Sequence, residues 1–262
     1  MTSTDDVDAN LEACDRLAAA ARAKGAGLLV LPECFAFLGR GDGDMLRTMA
    51  ALDGPLFGRF AALAKTHQIQ ICFGGFPERH DDSHAYNAHV LVDTGGAVVA
   101  NYRKIHLFDV VLPALTLRES AATTAGHDVV VADSAVGKLG MSVCYDLRFP
   151  ELYRALARKG AEVLLVPAAF TLTTGKEHWE VLLRARAIEN QCYVAAAAQT
   201  GRHNEKRESY GHAMIIDPWG TVIAQARDGE GIAVADIDVA WLQSVRARIP
   251  VWQHRRPDLY DK

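Results

Sequence analysis

No run in this 262-residue chain stays apolar over the roughly 20 residues that a membrane-spanning helix needs, which excludes that class of protein. Basic tracts are missing as well. Lysine and arginine number 28 against 32 aspartates and glutamates, a formal charge of -4, and no C-x-x-C finger spacing occurs, so a nucleic-acid surface has no support. The opening MTSTDDVDAN is acidic and polar, and no secretory signal is expected from it. The 10 histidines include no H-E-x-x-H, and none of the 5 cysteines pairs with another at a metal-ligand spacing, so neither metal nor other cofactor is expected. Those cysteines (Cys14, Cys34, Cys72, Cys144 and Cys192) are odd in number and widely scattered, which predicts reduced thiols in a cytoplasmic compartment rather than disulfides. Linkers rich in proline, glycine or serine are absent, as are internal repeats, and a single domain over 1–262 is expected.

What is present fits a folded protein with a sizeable core: 50% of residues are apolar and 23% charged. Helical and strand patterns alternate through the first two thirds. Leu11, Cys14, Leu17, Ala18 and Ala21 recur at helical spacing, with Gly25 placed to end the helix. GLLVLPE reads as a buried strand, Pro55 to Thr66 as a helix, and IQICFGGF as the next strand. AYNAHVLVD and AVVANYRK form a hairpin around Thr94-Gly95-Gly96. The pattern then repeats with strand KLGMSVCYD, a helix over Pro150 to Lys159, strand EVLLVP, a helix over His178 to Asn190 and strand CYVAAAA. HAMIID, TVIAQA and GIAVADI read as short strands, and Trp241 to Arg248 as helical. Short late hairpin strands suit two sheets flanked by helices better than one open doubly wound sheet.

Three polar residues stand at or just past the C-terminal ends of apolar strands, where sheets of this type gather their chemistry. Glu33 follows LLVLP, Lys104 follows VVANYR, and Cys144 follows LGMSV. Singly, each has a bland reading: a turn residue, a rim charge and a small buried hydrophobe. Together they supply complementary parts of one mechanism. A thiol is a weak nucleophile until it loses its proton, a carboxylate can take that proton, and a lysine can steady the oxyanion formed when a carbonyl is attacked.

LPECF, YRKIHLFD and VCYDLRFPEL, in that order, resemble the three motif regions of the carbon–nitrogen hydrolase (nitrilase-like) superfamily, and the likeness spans nearly the whole chain. The resemblance implies an α/β fold, a four-layer α-β-β-α sandwich, that pairs through its sheet-flanking helices as a homodimer or higher homo-oligomer. It implies that Cys144 attacks the amide carbon, Glu33 serves as general base and then acid, and Lys104 stabilises the oxyanion with the backbone N–H of Tyr145. Ammonia leaves, a thioester remains on Cys144, and water activated by Glu33 releases the acid. A further glutamate near the nucleophile is common in the superfamily, and RES at Arg118 to Ser120 supplies Glu119.

FTLTTGKEHWEVLLRARAIENQCYVAAAAQTGRHNEKRESYGHAMIIDPWG resembles the branch that hydrolyses deaminated glutathione to 2-oxoglutarate and cysteinylglycine. The ω-amidase branch, which releases ammonia from α-ketoglutaramate-like amides, shares TTG and HWE and is the alternative. A nitrile-hydrolysing member is less favoured, because CYDLRFPE stands where such enzymes read CWEN. A small keto-acid amide also suits the residues. Arg148, one helical turn past the nucleophile, can grip a carboxylate in a bidentate pair, and Thr174, in the loop before Gly175, can add a hydroxyl. An ion pair of Arg148 with Glu151 or Asp146 is the bland alternative. Phe35, Phe170 and His178 are candidate pocket walls, and Glu177 is a further pocket candidate.

Arg184, Arg186 and Glu189 are expected to form a structural network, and HNEKRE at His203 to Glu208 a surface loop or pocket rim. VWQHRRPDLY is expected to pack across a neighbouring subunit. Members of the superfamily begin with an apolar strand just before the point where Met1 stands here, so either the sequence starts late or an outer-layer strand is missing, and a missing strand would leave a sheet edge unfilled. Another amidase of the superfamily, acting on N-carbamoyl or aliphatic amides, and a scaffold protein without turnover are the remaining alternatives.

Overall fold

The computed structural model describes residues 1–262 apart from 42, 113, 114, 261 and 262. Its first layer is a pair of helices. Helix α1 (Val7–Ala23) starts at Asp6, whose carboxylate accepts from the N–H groups of Asp8 and Ala9, and buries Cys14, Leu17, Ala18 and Ala21. Helix α2 (Pro55–His67) opens with proline at its first turn, where no intrahelical N–H is lost, and buries Phe57, Phe60, Leu63 and Ala64. Both lie on a four-stranded sheet made by β1 (Leu28–Leu31), β2 (Gln70–Arg79), β3 (Ala85–Val92) and β4 (Val98–Arg103), in that spatial order. β1 runs parallel to β2, while β3 is antiparallel to both β2 and β4.

A small hairpin, β5 (Asp109–Leu112) with β6 (Leu115–Arg118), leads to the second sheet. That sheet begins with β7 (Val131–Ser134), β8 (Gly137–Met141), helix α3 (Pro150–Arg158) and β9 (Val163–Leu165). Helix α4 (Leu172–Asn190), β10 (Tyr193–Ala196) and the hairpin β11 (Thr200–Arg202) with β12 (Glu208–Tyr210) follow. β13 (Met214–Ile216) and β14 (Val222–Gln225) complete the six-stranded order β14-β13-β10-β9-β8-β7. Helices α5 (Val239–Arg248), α6 (Val251–His254) and α7 (Pro257–Tyr260) close the chain. Among the described residues no helix is long and apolar enough to cross a membrane.

Strand alternation divides the core into layers. Ile71, Phe73, Val90 and Val92 pack with α1 and α2, whereas Cys72 and Leu91, on the opposite face of the same strands, pack with the second sheet. Leu152, Leu156, Trp179 and Leu183 from α3 and α4 cover that sheet's outer face. The result is the four-layer α-β-β-α sandwich, and the faces that meet between the sheets carry the polar residues described below.

Three local expectations change. Helix α4 starts at Leu172, six positions before His178, because Thr171 caps it and Gly175 lies buried under Tyr210, where a Cβ would meet the ring carbons. Thr174 is therefore helical, not in a loop. Cys144 does not end a strand; it opens a 3-10 turn over Cys144–Arg148. GIAVADI forms no ladder among the described residues. A strand needs a facing backbone, and a cavity of about 540 Å³ lies between Leu28–Leu31 of β1 and residues 231–237.

Candidate active site

Glycines let the strand ends converge. β2 bulges at Gly74-Gly75, where its register with β3 shifts between Phe73 and Phe76. At Gly75 (φ +73°) an added Cβ would lie 2.9 Å from both Glu33 Cγ and Asn87 Oδ1, and at Gly74 it would lie 2.6 Å from the Leu31 carbonyl oxygen. The end of β1 thus comes against β2 with no room for a side chain. Cys34, next to Glu33, and Cys144 both take left-handed φ, at 59° and 48°, a conformation non-glycine residues hold only where surrounding contacts impose it. The Cys144 N–H donates to the Pro167 carbonyl at 2.9 Å. Lys104 is fixed through its own backbone, its N–H donating to Asn87 O and its carbonyl accepting from Gly126 N–H.

These placements bring the charged groups into one buried cluster. Lys104 Nζ donates to Glu33 Oε1 at 3.0 Å and to Glu119 Oε2 at 2.8 Å. Glu119 begins a short 3-10 turn, Glu119–Ala121, after β6, and its Oε2 also accepts from Phe108 N–H at 2.7 Å. Glu33 Oε2 accepts from Ala169 N–H at 3.0 Å, and the carboxylate is hydrogen-bonded to the Cys144 thiol. Glu33, Lys104 and Cys144 are all less than a tenth exposed.

Burial, the first influence on each group, would favour its neutral form. For Glu33 that influence is outweighed by the Lys104 charge and by hydrogen bonds from Cys144, Lys104 and Asn87, which hold the carboxyl below its ordinary value. Lys104 is likewise pushed down by burial, but Glu119 and Glu33 raise it well above the usual lysine value. Burial and the Glu33 charge push the Cys144 thiol well up, with Lys104 opposing. The resting cluster is therefore a thiol beside an ionised carboxylate and an ammonium, able to move one proton from sulfur to oxygen when an electrophile arrives.

A narrow pocket opens on Cys144, with Tyr145, Arg148, Phe170, Thr171 and Thr174 among its walls. The larger cavity beside β1 touches none of Glu33, Lys104, Glu119 and Cys144. Arg148 lies 5.4 Å from the Phe170 ring centre and 5.9 Å from that of Tyr145, and its Nη1 donates to His178 Nδ1 at 3.3 Å. Neither Glu151 nor Asp146 takes it. Three candidates fall outside the pocket, His178 among them: it is exposed on α4 and meets the site through its contact with Arg148. Glu177 is exposed on α4, because the earlier helix start turns it outward. Phe35 is fully buried in an aromatic cluster with Phe60, Phe73 and Phe76 on the α1–α2 side.

Elsewhere, Arg186 pairs with Glu189 at 2.9 Å as expected, but Arg184 reaches Gly220 O and Glu180 instead. In the β11–β12 hairpin His203 is buried, bonded to Ser3 O and Ser209 Oγ, while Glu205 and Lys206 are exposed. Among the described residues no cluster of metal-ligating side chains occurs.

Asn87, which the sequence gives no role, joins the cluster, and Asp146 braces the turn that carries Cys144. Asn87 Nδ2 donates to Glu33 Oε1 at 2.9 Å and to Glu119 Oε1 at 3.0 Å. Asp146 Oδ1 accepts from His106 N–H and pairs with His106 Nδ1, and its Oδ2 accepts from Tyr102 O–H and Val143 N–H. For Asn87 the sequence signal lies in AYNAHVLVD: Asn87 and His89 are polar at alternate positions of an apolar strand, hence on one face. Asp146, weighed in the sequence only as an ion-pair partner of Arg148, is taken instead by Tyr102, His106 and Val143.

The carbon–nitrogen hydrolase family profile matches residues 1–247. The chain is 49% identical to the deaminated glutathione amidase of Rattus norvegicus, an alignment covering 99% of this chain and 81% of that one. The crystal structure of the C. elegans NitFhit protein superposes with a TM-score of 0.94 at 44% identity, covering 99% of this chain and 64% of that longer one. The amidase of Nesterenkonia sp. AN1, solved with acrylamide added to its active-site cysteine, gives a TM-score of 0.80 at 28% identity, covering 96% of each chain.

Proposed function

The chain belongs to the carbon–nitrogen hydrolase family, and from that premise we propose that it hydrolyses deaminated glutathione through a thioester on Cys144. The observation that carries this reading is the Glu33 carboxylate, hydrogen-bonded at once to the Cys144 thiol and to Lys104 inside a buried cluster. As Cys144 Sγ attacks the amide carbon, its proton passes to Glu33. Lys104 Nζ and the Tyr145 N–H are the donors for the oxyanion, which forms in a site that excludes bulk water. Glu119 holds Lys104 in place through both of its carboxylate oxygens. When the tetrahedral species collapses, Glu33 returns the proton to the departing nitrogen. It then takes a proton from the water that cleaves the thioester.

The nature of the substrate corrects one expectation. The scissile nitrogen of deaminated glutathione belongs to cysteinylglycine, so that dipeptide leaves and 2-oxoglutarate follows; ammonia is the product only of the α-ketoglutaramate alternative. Arg148 and Thr174, both walls of the pocket on Cys144, suit the keto-acid end shared by the two substrates. The 49% identity to a deaminated glutathione amidase favours the longer one. Assaying both compounds decides: a higher kcat/KM for deaminated glutathione is expected, and a higher value for α-ketoglutaramate would replace this substrate by the alternative.

The same reading extends to assembly and compartment. Ile188 and Val181 on α4, with Trp219 next in the chain to Gly220, which packs against Ile188, are large apolar side chains half or more exposed, suited to a second copy of the chain. Sedimentation of the intact protein should give a mass of two chains or more; a single-chain mass would refute the pairing. All five cysteines are free thiols, which suits a reducing cytoplasmic compartment. Reducing and oxidising buffers should therefore leave unequal activity, with reduced protein the active form; equal activity would argue against that placement.

A further inference from the structure

Two carboxylates, Glu33 and Glu119, share one ammonium in the buried cluster. Lys104 is their charged partner, and the Asn87 amide is a second, neutral one. Its Nδ2 carries two hydrogens, and the two short contacts, 2.9 Å to Glu33 Oε1 and 3.0 Å to Glu119 Oε1, use both. The opposite amide orientation would turn Oδ1 against two carboxylates, so the contacts themselves fix which way Asn87 points. Lys104 Nζ donates to the same two atoms, each at 3.0 Å. Each Oε1 therefore faces one ammonium hydrogen and one amide hydrogen.

Packing alone does not account for the amide. Asn87 Oδ1 is buried with no hydrogen-bond partner among the described residues, which is a cost that leucine, close to asparagine in shape, would not carry. Gly75 is needed to make room for that oxygen, since a Cβ there would lie 2.9 Å from it. An apolar β3 interrupted at this position, beside a glycine bulge in β2, makes sense if the two hydrogens on Nδ2 are what the site requires.

We propose that Asn87 is a positioning residue that, in parallel with Lys104, keeps Oε1 of both carboxylates as acceptors, so that the Cys144 proton can go only to Oε2 of Glu33. A proton on either Oε1 would have to point at the hydrogens of the ammonium or the amide. Oε2 of Glu33 meets only one backbone donor, Ala169 N–H. In the step, the S–H bond breaks with its electron pair staying on sulfur, an Oε2–H bond forms, and that proton later passes to the leaving nitrogen. The inference rests on the reading of Glu33 as general base.

The test uses Asn87→Leu and the isosteric Asn87→Asp in the full-length protein, with melting temperatures to verify folding. Loss of a donor to the carboxylate favours its neutral form, so in Asn87→Leu the acid limb of kcat/KM should move up by about one pH unit. At neutral pH kcat should fall at least ~tenfold with little change in KM. In Asn87→Asp the added carboxyl should move the limb higher still. Infrared titration with 13C-labelled glutamate reads the Glu33 carboxyl directly, its band identified by its loss in Glu33→Gln, and its midpoint should rise in both variants. Unmoved limb and band overturn the inference, and so does a lower melting temperature or activity accompanied by a parental limb and band. If the parent protein hydrolyses no amide, the proposed function fails while the infrared titration still decides the role of Asn87.

Discussion

A buried thiol next to an ionised carboxylate keeps its proton until an electrophile draws the sulfur forward, and Cys144 sits in that position. Of the five cysteines, Cys14, Cys34, Cys72 and Cys192 are also pushed up by burial, and Cys34, the chain neighbour of Glu33, feels the Glu33 and Lys104 charges as well, but the pocket beside the cluster opens on Cys144 and on none of the other four. Glu33, Lys104, Glu119 and Cys144 were legible in the sequence because each lies in a short motif at a strand end. Asn87 was not, since its meaning comes from facing two carboxylates that are 54 and 32 positions away in the chain. Glu177 was misplaced for a local reason: TLTTGK reads as a loop until Tyr210 is seen packed on Gly175. The proposed grip of Arg148 on a substrate carboxylate gives a prediction at this scale. Arg148→Met should raise KM for deaminated glutathione at least ~tenfold while changing kcat less than about threefold, because a charge-assisted bidentate contact is lost away from the reacting bond. Steady-state kinetics checks it, and an unchanged KM would return Arg148 to a wall residue stacked between Tyr145 and Phe170.

Two elements are tied together just behind the nucleophile. Asp146 accepts from Val143 N–H at the start of the turn over Cys144–Arg148 and links that turn to Tyr102 on β4 and to His106 just after it. His89 on β3 joins the two sheets by bonding Ser142 O at 3.0 Å, two residues before Cys144. Burial, only partly opposed by the Ser142 hydrogen bond and the Asp146 charge, lowers His89 from 6.5 to about 4. The folded protein thus keeps this ring neutral where the unfolded chain binds a proton. Stability contributed by the neutral ring is complete above about pH 6.5 and falls as pH drops toward 4, since the unfolded state then binds more protons. The full shift corresponds to about 3 kcal/mol. His89→Asn should flatten the decline of the melting temperature between pH 6.5 and 4.5, a window above the one in which Glu33 titrates. A parental slope in that variant would show that His89 is not the group responsible. β3 was legible as a strand, but a histidine inside it gave no sign of the sheet it would reach.

For the molecule as a whole, the alternation of patterns foretold two helix-covered sheets, and the strands of each follow from it. What pattern could not supply was pairing across the chain. GIAVADI has the composition of a strand but forms no ladder among the described residues, while the end of β1 comes against β2 because Gly74 and Gly75 lack side chains. The sandwich places the ends of β1, β4 and β8 at one point between the sheets, and the chemistry proposed for it requires a covalent intermediate there. Mass spectrometry of the intact protein and its peptides, quenched during turnover of deaminated glutathione, tests this most directly. The account predicts a five-carbon keto-acid acyl group on the Cys144 peptide, absent in Cys144→Ala together with all turnover. Turnover that survives Cys144→Ala, or an acyl group carried by any other residue, would contradict it.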